Sequence, residues 1–95
     1  MEQVITGSHL SLTLHGRINI TGGSAAMQYR TPGAPADGEL AVEITDPVQA
    51  SCVGQFTSAI HNTPGLWKIW LKTIDALGRV RYGKIYRFRS IRPGS

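Results

Sequence analysis

Three histidines, one cysteine and a pair of glutamates on one strand are the first candidates for chemistry in this 95-residue chain. His9 and His15 stand six positions apart and would share a face of an ideal strand. A zinc site needs three or four ligands, and no third ligand lies close to them in the sequence. The spacing therefore favours solvated or hydrogen-bonded histidines, and we expect no metal and no cofactor.

A nucleophile could be sought in Cys52 with His61 as its base. No strand-to-helix turn or helix N-terminus, the features that lower a thiol pKa, is visible beside Cys52. A lone cysteine forbids an internal disulfide and more often packs in a core than reacts. Glu39 and Glu43 lie about 13 Å apart at ~3.3 Å per residue, too far for the paired carboxylates of a glycosidase. We therefore expect that the protein is not an enzyme.

Apolar and polar residues alternate along most of the chain, which is the period of half-buried strands. The clearest stretches are residues 10–14, 40–44 and 67–73. A weaker one, residues 51–56, would place Cys52 and Phe56 on one side, and residues 57–62 fit either a short helical turn or a crossing segment. No segment keeps a helical period, and turn signals recur about every ten residues. The pattern predicts an all-β fold, a single antiparallel β-sandwich of about seven short strands around Trp67, with an open barrel as the alternative.

The chain is long enough for one hydrophobic core only. We place the β-sandwich domain at residues 10–92 and a polar tail at 93–95. Residues 1–9 lack clear periodicity and are expected to be an N-terminal arm that could order only on assembly. No run of about 18 apolar residues is present, so we expect no membrane-spanning helix, and the first residues have no secretory pattern.

The net charge of +4 is distributed unevenly. Residues 1–64 carry two arginines against five carboxylates, whereas residues 65–95 carry eight lysines and arginines against Asp75 alone. If the last strands pair as consecutive hairpins, alternation gathers cations and one tryptophan on one outer sheet face. A bulge at Gly83 would shift this register by one residue. The predicted partner-binding residues are Trp70, Arg79, Arg81, Arg87 and Arg89.

Three interpretations of this basic face stay open at the level of sequence. It can be a solvated surface, a protein-docking surface with Trp70 as its aromatic anchor, or a binding surface for nucleic acid or an anionic glycan. Only Trp70 offers a clear stacking platform, and no known RNA-binding motif is present, which weighs against nucleic acid.

Two stretches carry a resemblance to a known family. They are residues 25–33 (AAMQYRTPG) and residues 64–72 (PGLWKIWLK), the latter followed by Gly78-Arg79 and by a Tyr-Arg-Phe strand at 86–88. Over roughly residues 17–91 the chain resembles the small immunoglobulin-like β-sandwich proteins of tailed bacteriophages, which are tail, baseplate, fibre-adaptor or capsid-decorating components.

The resemblance implies a non-catalytic virion structural protein that is assembled in the bacterial host cytoplasm. It also implies that the partners are other virion proteins, bound in many copies, and that no cofactor is needed. The alternative function is a soluble binding module for an anionic polymer.

Overall fold

The computed structural model describes residues 2–34 and 36–94. Met1 of the expected arm, Pro35 in the Pro-Gly-rich loop and Ser95 of the expected tail lie outside them. The described residues form eight β-strands and no helix. The strands are β1 (Glu2–Ile5), β2 (Leu10–His15), β3 (Ser24–Arg30), β4 (Gly38–Asp46), β5 (Ser51–Phe56), β6 (Gly65–Ile74), β7 (Val80–Tyr82) and β8 (Tyr86–Ile91).

The strands form one curled sheet in the order β1-β8-β6-β3-β4-β5-β2, and β7 pairs with the end of β6 that β8 leaves free. The long strand β4 produces the curl, because Leu40 and Ala41 pair with β3 whereas Val42 and Ile44 pair with β5. The pairs are antiparallel except that of β1 with β8, which is parallel. The predicted all-β class is confirmed. The single antiparallel sandwich is not, since the sheet is mixed and curls into a half-barrel.

Strand β6 is the centre of the hydrophobic core. Its alternate residues Trp67, Ile69, Leu71 and Thr73 are buried, in the phase that the sequence predicts. The other buried side chains of the core cluster are Met27, Cys52, Phe56 and Phe88. Trp67 stacks on the ring of Phe88 with a centroid distance of 5.8 Å and an interplanar angle of 18°. The strand therefore commits one face to the core and leaves its other face to solvent.

Strand β5 shows how tightly the curled sheet closes on its core. Cys52 and Phe56 are fully buried on one side, as predicted, and Gly54 lies between them on the same side. A Cβ atom at Gly54 would lie 2.5 Å from the sulfur of Met27, so a larger residue fits only if the Met27 side chain moves. Side-chain packing against Met27, rather than an unusual backbone conformation, accounts for this glycine.

The expected N-terminal arm contributes a strand over Glu2–Ile5. This strand, β1, runs parallel to β8 at the edge of the sheet, and Val4 packs against the core. Beyond the strand, the backbone N–H of Thr6 donates to the carbonyl of Ile91 at 2.7 Å. Two segments near the chain termini in sequence are therefore paired in space.

Two further segments lie outside the strands. Residues 57–62 contain a single tight turn, in which two successive N–H groups donate to the carbonyl of Thr57 at 3.0 and 2.8 Å. The alternation of Ile18 and Ile20 with polar residues after Gly16 does not produce a strand, because Arg17 adopts a left-handed conformation with φ of 55°. The chain there follows the loop before β5, and the N–H of Gly16 donates to the carbonyl of Ala50 at 3.0 Å.

Candidate partner-binding face

Strand β6 presents Lys68, Trp70 and Lys72 on the side of the sheet away from the core. Residues paired across neighbouring strands share a side, so the register gives their neighbours on this surface. Arg87 pairs with Lys68 and Tyr82 pairs with Lys72. We call this surface the outer face. Its main members are Gln28, Arg30, Leu66, Lys68, Trp70, Lys72, Tyr82, Arg87 and Arg89.

Three cations stand directly opposite one another on the outer face. Arg30 of β3 pairs with Lys68 of β6, and Lys68 pairs with Arg87 of β8. We call these three residues the cation row. Adjacent strands are about 4.8 Å apart, so these three side chains start from neighbouring positions on the sheet. Among the described residues, Arg30 has an ion pair with Asp37 at 2.7 Å, whereas no carboxylate lies within 4.0 Å of the other two cations.

Trp70 occupies the next position along β6 and is fixed by a side-chain hydrogen bond. Its indole N–H donates to the amide oxygen of Gln28, which lies opposite it on β3, at 2.9 Å. A cavity of about 320 Å³ opens beside the indole ring. We call it the tryptophan pocket, and its lining includes Arg30, Asp37, Lys68, Trp70, Tyr82 and Ile85. Apolar walls with cations at one end suit an anionic ligand that also carries an apolar group.

Two of the five predicted binding residues lie elsewhere. Trp70, Arg87 and Arg89 belong to the outer face. Arg81 pairs with Thr73, whose side chain is buried, so it is on the core side of the sheet at its open end. The expectation that all five share one face is therefore wrong for Arg81 and also for Arg79, which lies in the β6–β7 turn.

A bulge between β7 and β8, the alternative that Gly83 raises in the sequence, causes this difference. Tyr82 pairs with Lys72 and Tyr86 pairs with Ile69, so the three residues Gly83–Ile85 stand opposite only two residues of β6. An extra residue in one strand inverts the alternation beyond it. As a result the arginines of β8 and the tyrosine of β7, rather than the arginines of both strands, share the outer face.

Arg79 stabilises the turn that joins β6 to β7. The carboxylate of Asp75 accepts hydrogen bonds from the backbone N–H of Arg79 at 3.0 Å, from its Nε at 2.8 Å, and from the N–H of Leu77 at 2.9 Å. These bonds, the backbone N–H of Arg79 first among them, lower the pKa of Asp75. The arginine is thus engaged within its own hairpin.

Arg30 and Tyr82 are members of the face that the sequence does not single out. Arg30 lies on an earlier strand and reaches the face through the pairing of β3 with β6. Tyr82 reaches the face through the pairing of β7 with β6, in which it stands opposite Lys72. Lys68 could be placed on this face from the sequence, because it alternates with the buried Trp67 along β6. Gln28 could not, because its role depends on the cross-strand hydrogen bond from Trp70.

The two exposed histidines have hydrogen-bond partners across β2 and β5. His9 Nε2 donates to the side-chain oxygen of Gln55 at 2.6 Å, and His15 Nδ1 shares a hydrogen bond with Ser51 Oγ at 2.7 Å. Within residues 2–34 and 36–94, no three histidine, cysteine or carboxylate side chains come close enough to hold a metal ion. Each of these two histidines therefore forms a hydrogen bond with the neighbouring strand.

His61 is fully buried and belongs to a polar network that the sequence does not reveal. Its Nδ1 lies 3.0 Å from the carbonyl oxygen of Ser8, and its Nε2 lies 2.7 Å from the hydroxyl of Ser90. Ser90 Oγ in turn lies 2.6 Å from Thr6 Oγ1. A serine hydroxyl hydrogen-bonded to a histidine is the arrangement of an activated nucleophile. Ser90 is only 2% exposed, however, so a substrate cannot reach it.

Cys52 is separated from that network and has no catalytic surroundings. Its thiol is fully buried, and the nearest partner is the carbonyl of Ala50 at 3.6 Å. Burial raises the pKa of the thiol. A neutral, enclosed sulfhydryl of this kind contributes packing rather than reactivity.

Comparisons with known proteins found no match. No family model fits the chain, and neither the curated proteins nor the solved structures contain a significant relative. The structure also contains, among the residues it describes, no helix with the length and apolarity needed to cross a membrane.

Proposed function

We propose that this chain is a non-catalytic structural protein of a tailed-bacteriophage virion that docks onto another virion protein through its outer face. The observation that carries the proposal is the placement of Trp70 and Tyr82 on one sheet surface beside Lys68, Lys72 and Arg87, which have no ion pair among the described residues. Aromatic residues and arginine are the types enriched at protein interfaces. Anchors of this kind supply much of the binding energy at such surfaces.

Exposed apolar area on the same face supports docking. Leu66, Val80 and Tyr82 are 38%, 47% and 63% exposed, and all three lie on the outer side of the sheet by their register. Single exposed apolar residues are ordinary, and Leu66 and Val80 lie near opposite ends of β6. Tyr82 is the diagonal neighbour of Trp70, because it pairs with Lys72, and two exposed aromatic side chains side by side are typical of an interaction surface.

The virion setting and the immunoglobulin-like arrangement are supported by the sequence resemblance. Residues 64–72 of that resemblance supply most of β6, the strand that holds both the core tryptophan and the surface tryptophan. The proposal places the chain in the virion, in many copies, against a tail, fibre, baseplate or capsid protein.

Mass spectrometry of purified particles tests the virion setting. Virions from a host that carries this sequence are banded on a density gradient and digested with trypsin. We expect peptides of this chain in a fixed ratio to a known structural protein across independent preparations. Their absence from the particles would contradict the proposal.

The face itself is tested by a paired substitution. Trp70→Ala combined with Tyr82→Ala removes both aromatic anchors, and we expect incorporation into particles to fall about tenfold or more. Leu77→Ala is the matched control, because this residue is 78% exposed but lies in the β6–β7 turn. Equal incorporation of the two variants would exclude the outer face as the docking surface.

The cation row favours a second candidate, a module that binds an anionic polymer such as nucleic acid or a surface glycan. Binding to single-stranded nucleic acid would weaken with salt, by about 0.7 in log K per phosphate contact for each tenfold rise in concentration. Arg87→Ala with Arg89→Ala would reduce that slope. A salt-independent affinity, or no binding at low salt, would eliminate this candidate.

A further inference from the structure

The cation row has an energetic cost in the isolated chain. Like charges directly opposite on neighbouring strands repel each other, and Lys68 has such a neighbour on each side, Arg30 and Arg87. Asp37 relieves the charge on Arg30 only, within the part of the chain that the structure describes. An arrangement that costs stability locally is expected at a functional surface.

The row borders the tryptophan pocket. Lys68 and Arg30 belong to both, and the remaining walls include the rings of Trp70 and Tyr82 and the side chain of Ile85. A ligand that fills the pocket with an apolar group therefore brings its neighbouring groups over the cations. Negative charge on those groups would offset the repulsion within the row.

We propose that the cation row and the tryptophan pocket together bind an acidic, extended segment of the partner protein. Carboxylates of the segment contact Lys68 and Arg87, and an apolar side chain between them enters the pocket beside Trp70. This assignment rests on the proposed docking function and specifies the chemistry of the partner.

The sign of the neighbouring charges favours an acidic protein segment over a nucleic acid. Asp37 lines the pocket, and Glu39 lies on the same face because it pairs with Gln28. A continuous phosphate backbone across the face would meet both carboxylates, whereas separate acidic side chains reach the cations without them. The indole N–H of Trp70 is also already bonded to Gln28, which holds the ring in the sheet surface.

The first experiment measures the repulsion in the free protein. Urea unfolding midpoints are compared at about 0.01 M and about 1 M salt, where the screening length falls from roughly 30 Å to 3 Å. We expect salt to raise the midpoint of the wild type, and Lys68→Gln to reduce that rise by about half. Lys84→Gln, which removes a cation from the bulge, should leave the rise unchanged. An identical salt response of wild type and Lys68→Gln would overturn the proposal.

The second experiment measures binding by amide NMR with defined probes. The probes are a capped Glu-Glu-Phe-Glu-Glu peptide, its glutamine counterpart, and an oligothymidylate of about twelve nucleotides. We expect saturable shifts at Lys68 and Trp70 with the acidic peptide only, and about tenfold weaker binding by Lys68→Gln. No shifts with the acidic peptide, or tighter binding of the oligonucleotide at the same residues, would overturn the assignment.

The two proposals can fail separately. If the chain is found in virions and Lys68→Gln is incorporated like the wild type, the acidic-segment assignment is wrong and the structural role stands. If the acidic peptide binds but particles lack the chain, the site stands and the virion role is wrong.

Discussion

The buried network around His61 leads to a quantitative prediction about stability. The carbonyl oxygen of Ser8 can only accept a hydrogen bond, so Nδ1 of His61 carries the proton and donates it. Nε2 lies 2.7 Å from the hydroxyl oxygen of Ser90, which lies 2.6 Å from the hydroxyl oxygen of Thr6, so a chain of two further hydrogen bonds continues from the ring. The imidazole also meets the rings of Trp67 and Phe88 edge-on, at centroid distances of 5.3 and 5.6 Å.

His61→Phe keeps an aromatic ring in place and removes both hydrogen bonds. Each bond contributes about 1 kcal/mol net, and the part-buried carbonyl of Ser8, left without its donor, adds a penalty at the lower end of about 1–3 kcal/mol. Ser90 keeps its bond to Thr6, so its hydroxyl adds little. We expect the free energy of unfolding to fall by about 2–4 kcal/mol, a large part of the 5–15 kcal/mol typical of a domain.

A double-mutant cycle isolates the bond between His61 and Ser90. Urea unfolding is followed by tryptophan fluorescence for the wild type, His61→Phe, Ser90→Ala and the double variant. We expect the double variant to be more stable than the sum of the single effects implies, with a coupling energy of about 1 kcal/mol. His15→Phe is the exposed control and should change stability by less than about 0.5 kcal/mol.

The same network holds the N-terminal segment against β8 through Thr6 and Ser8. We therefore expect faster amide hydrogen exchange at residues 3–5 in His61→Phe than in the wild type under conditions where both are folded. Additive effects in the cycle, or a His61→Phe variant as stable as the control, would refute the assignment of these hydrogen bonds.

Three further predictions concern titratable groups. Because the pKa of Asp75 is lowered in the folded protein, the stability that its carboxylate contributes is present above pH 3.8, its ordinary pKa, and is lost as the pH falls below that value. The free energy of unfolding of Asp75→Asn should therefore depend less on pH in acid than that of the wild type. The same pH dependence in both proteins would contradict the contacts with Arg79. Burial, with the hydrogen bond to Glu2, raises the pKa of Tyr86 to about 12 from 10.0. Its contribution is therefore present below pH 10.0 and lost on rising towards about 12, and Tyr86→Phe should show a flatter alkaline unfolding curve than the wild type. The Cys52 thiol should react with a disulfide reagent on the order of a hundred-fold more slowly than free cysteine until urea unfolds the chain, and rapid labelling of the native protein would show that it is not enclosed.

Alternation identified the interior of the sheet from the sequence. The buried phases of β2, β4 and β6 follow the period of two, and β5 places Cys52 and Phe56 inside as expected. These strands are predictable because each pattern is local and a one-residue slip would expose every apolar side chain of the strand.

The pairing of strands could not be read in the same way. The parallel pair of β1 with β8 joins the two ends of the described chain, and a four-residue strand of which only Val4 packs on the core leaves no periodic signal. The bulge at Gly83–Ile85 inverts the alternation of side chains after β7. The sequence does not determine this bulge, because a glycine permits one without requiring it. As a result Arg81 and Arg87 lie on opposite sides of the sheet, and Tyr82 rather than Arg81 shares the outer face with Arg87.

The sequence by itself determined an all-β chain with one core. It also determined that one side of the strand of Trp67 is buried in that core, and that positive charge is concentrated in the last third of the chain. The tertiary structure decided which of those charges are neighbours. It joined Arg30 of β3 to Lys68 and Arg87, and it engaged Arg79 with Asp75 in a turn. The physical reason is that side-chain alternation is a property of one strand, whereas a surface is formed by several strands whose register depends on contacts between residues distant in the chain.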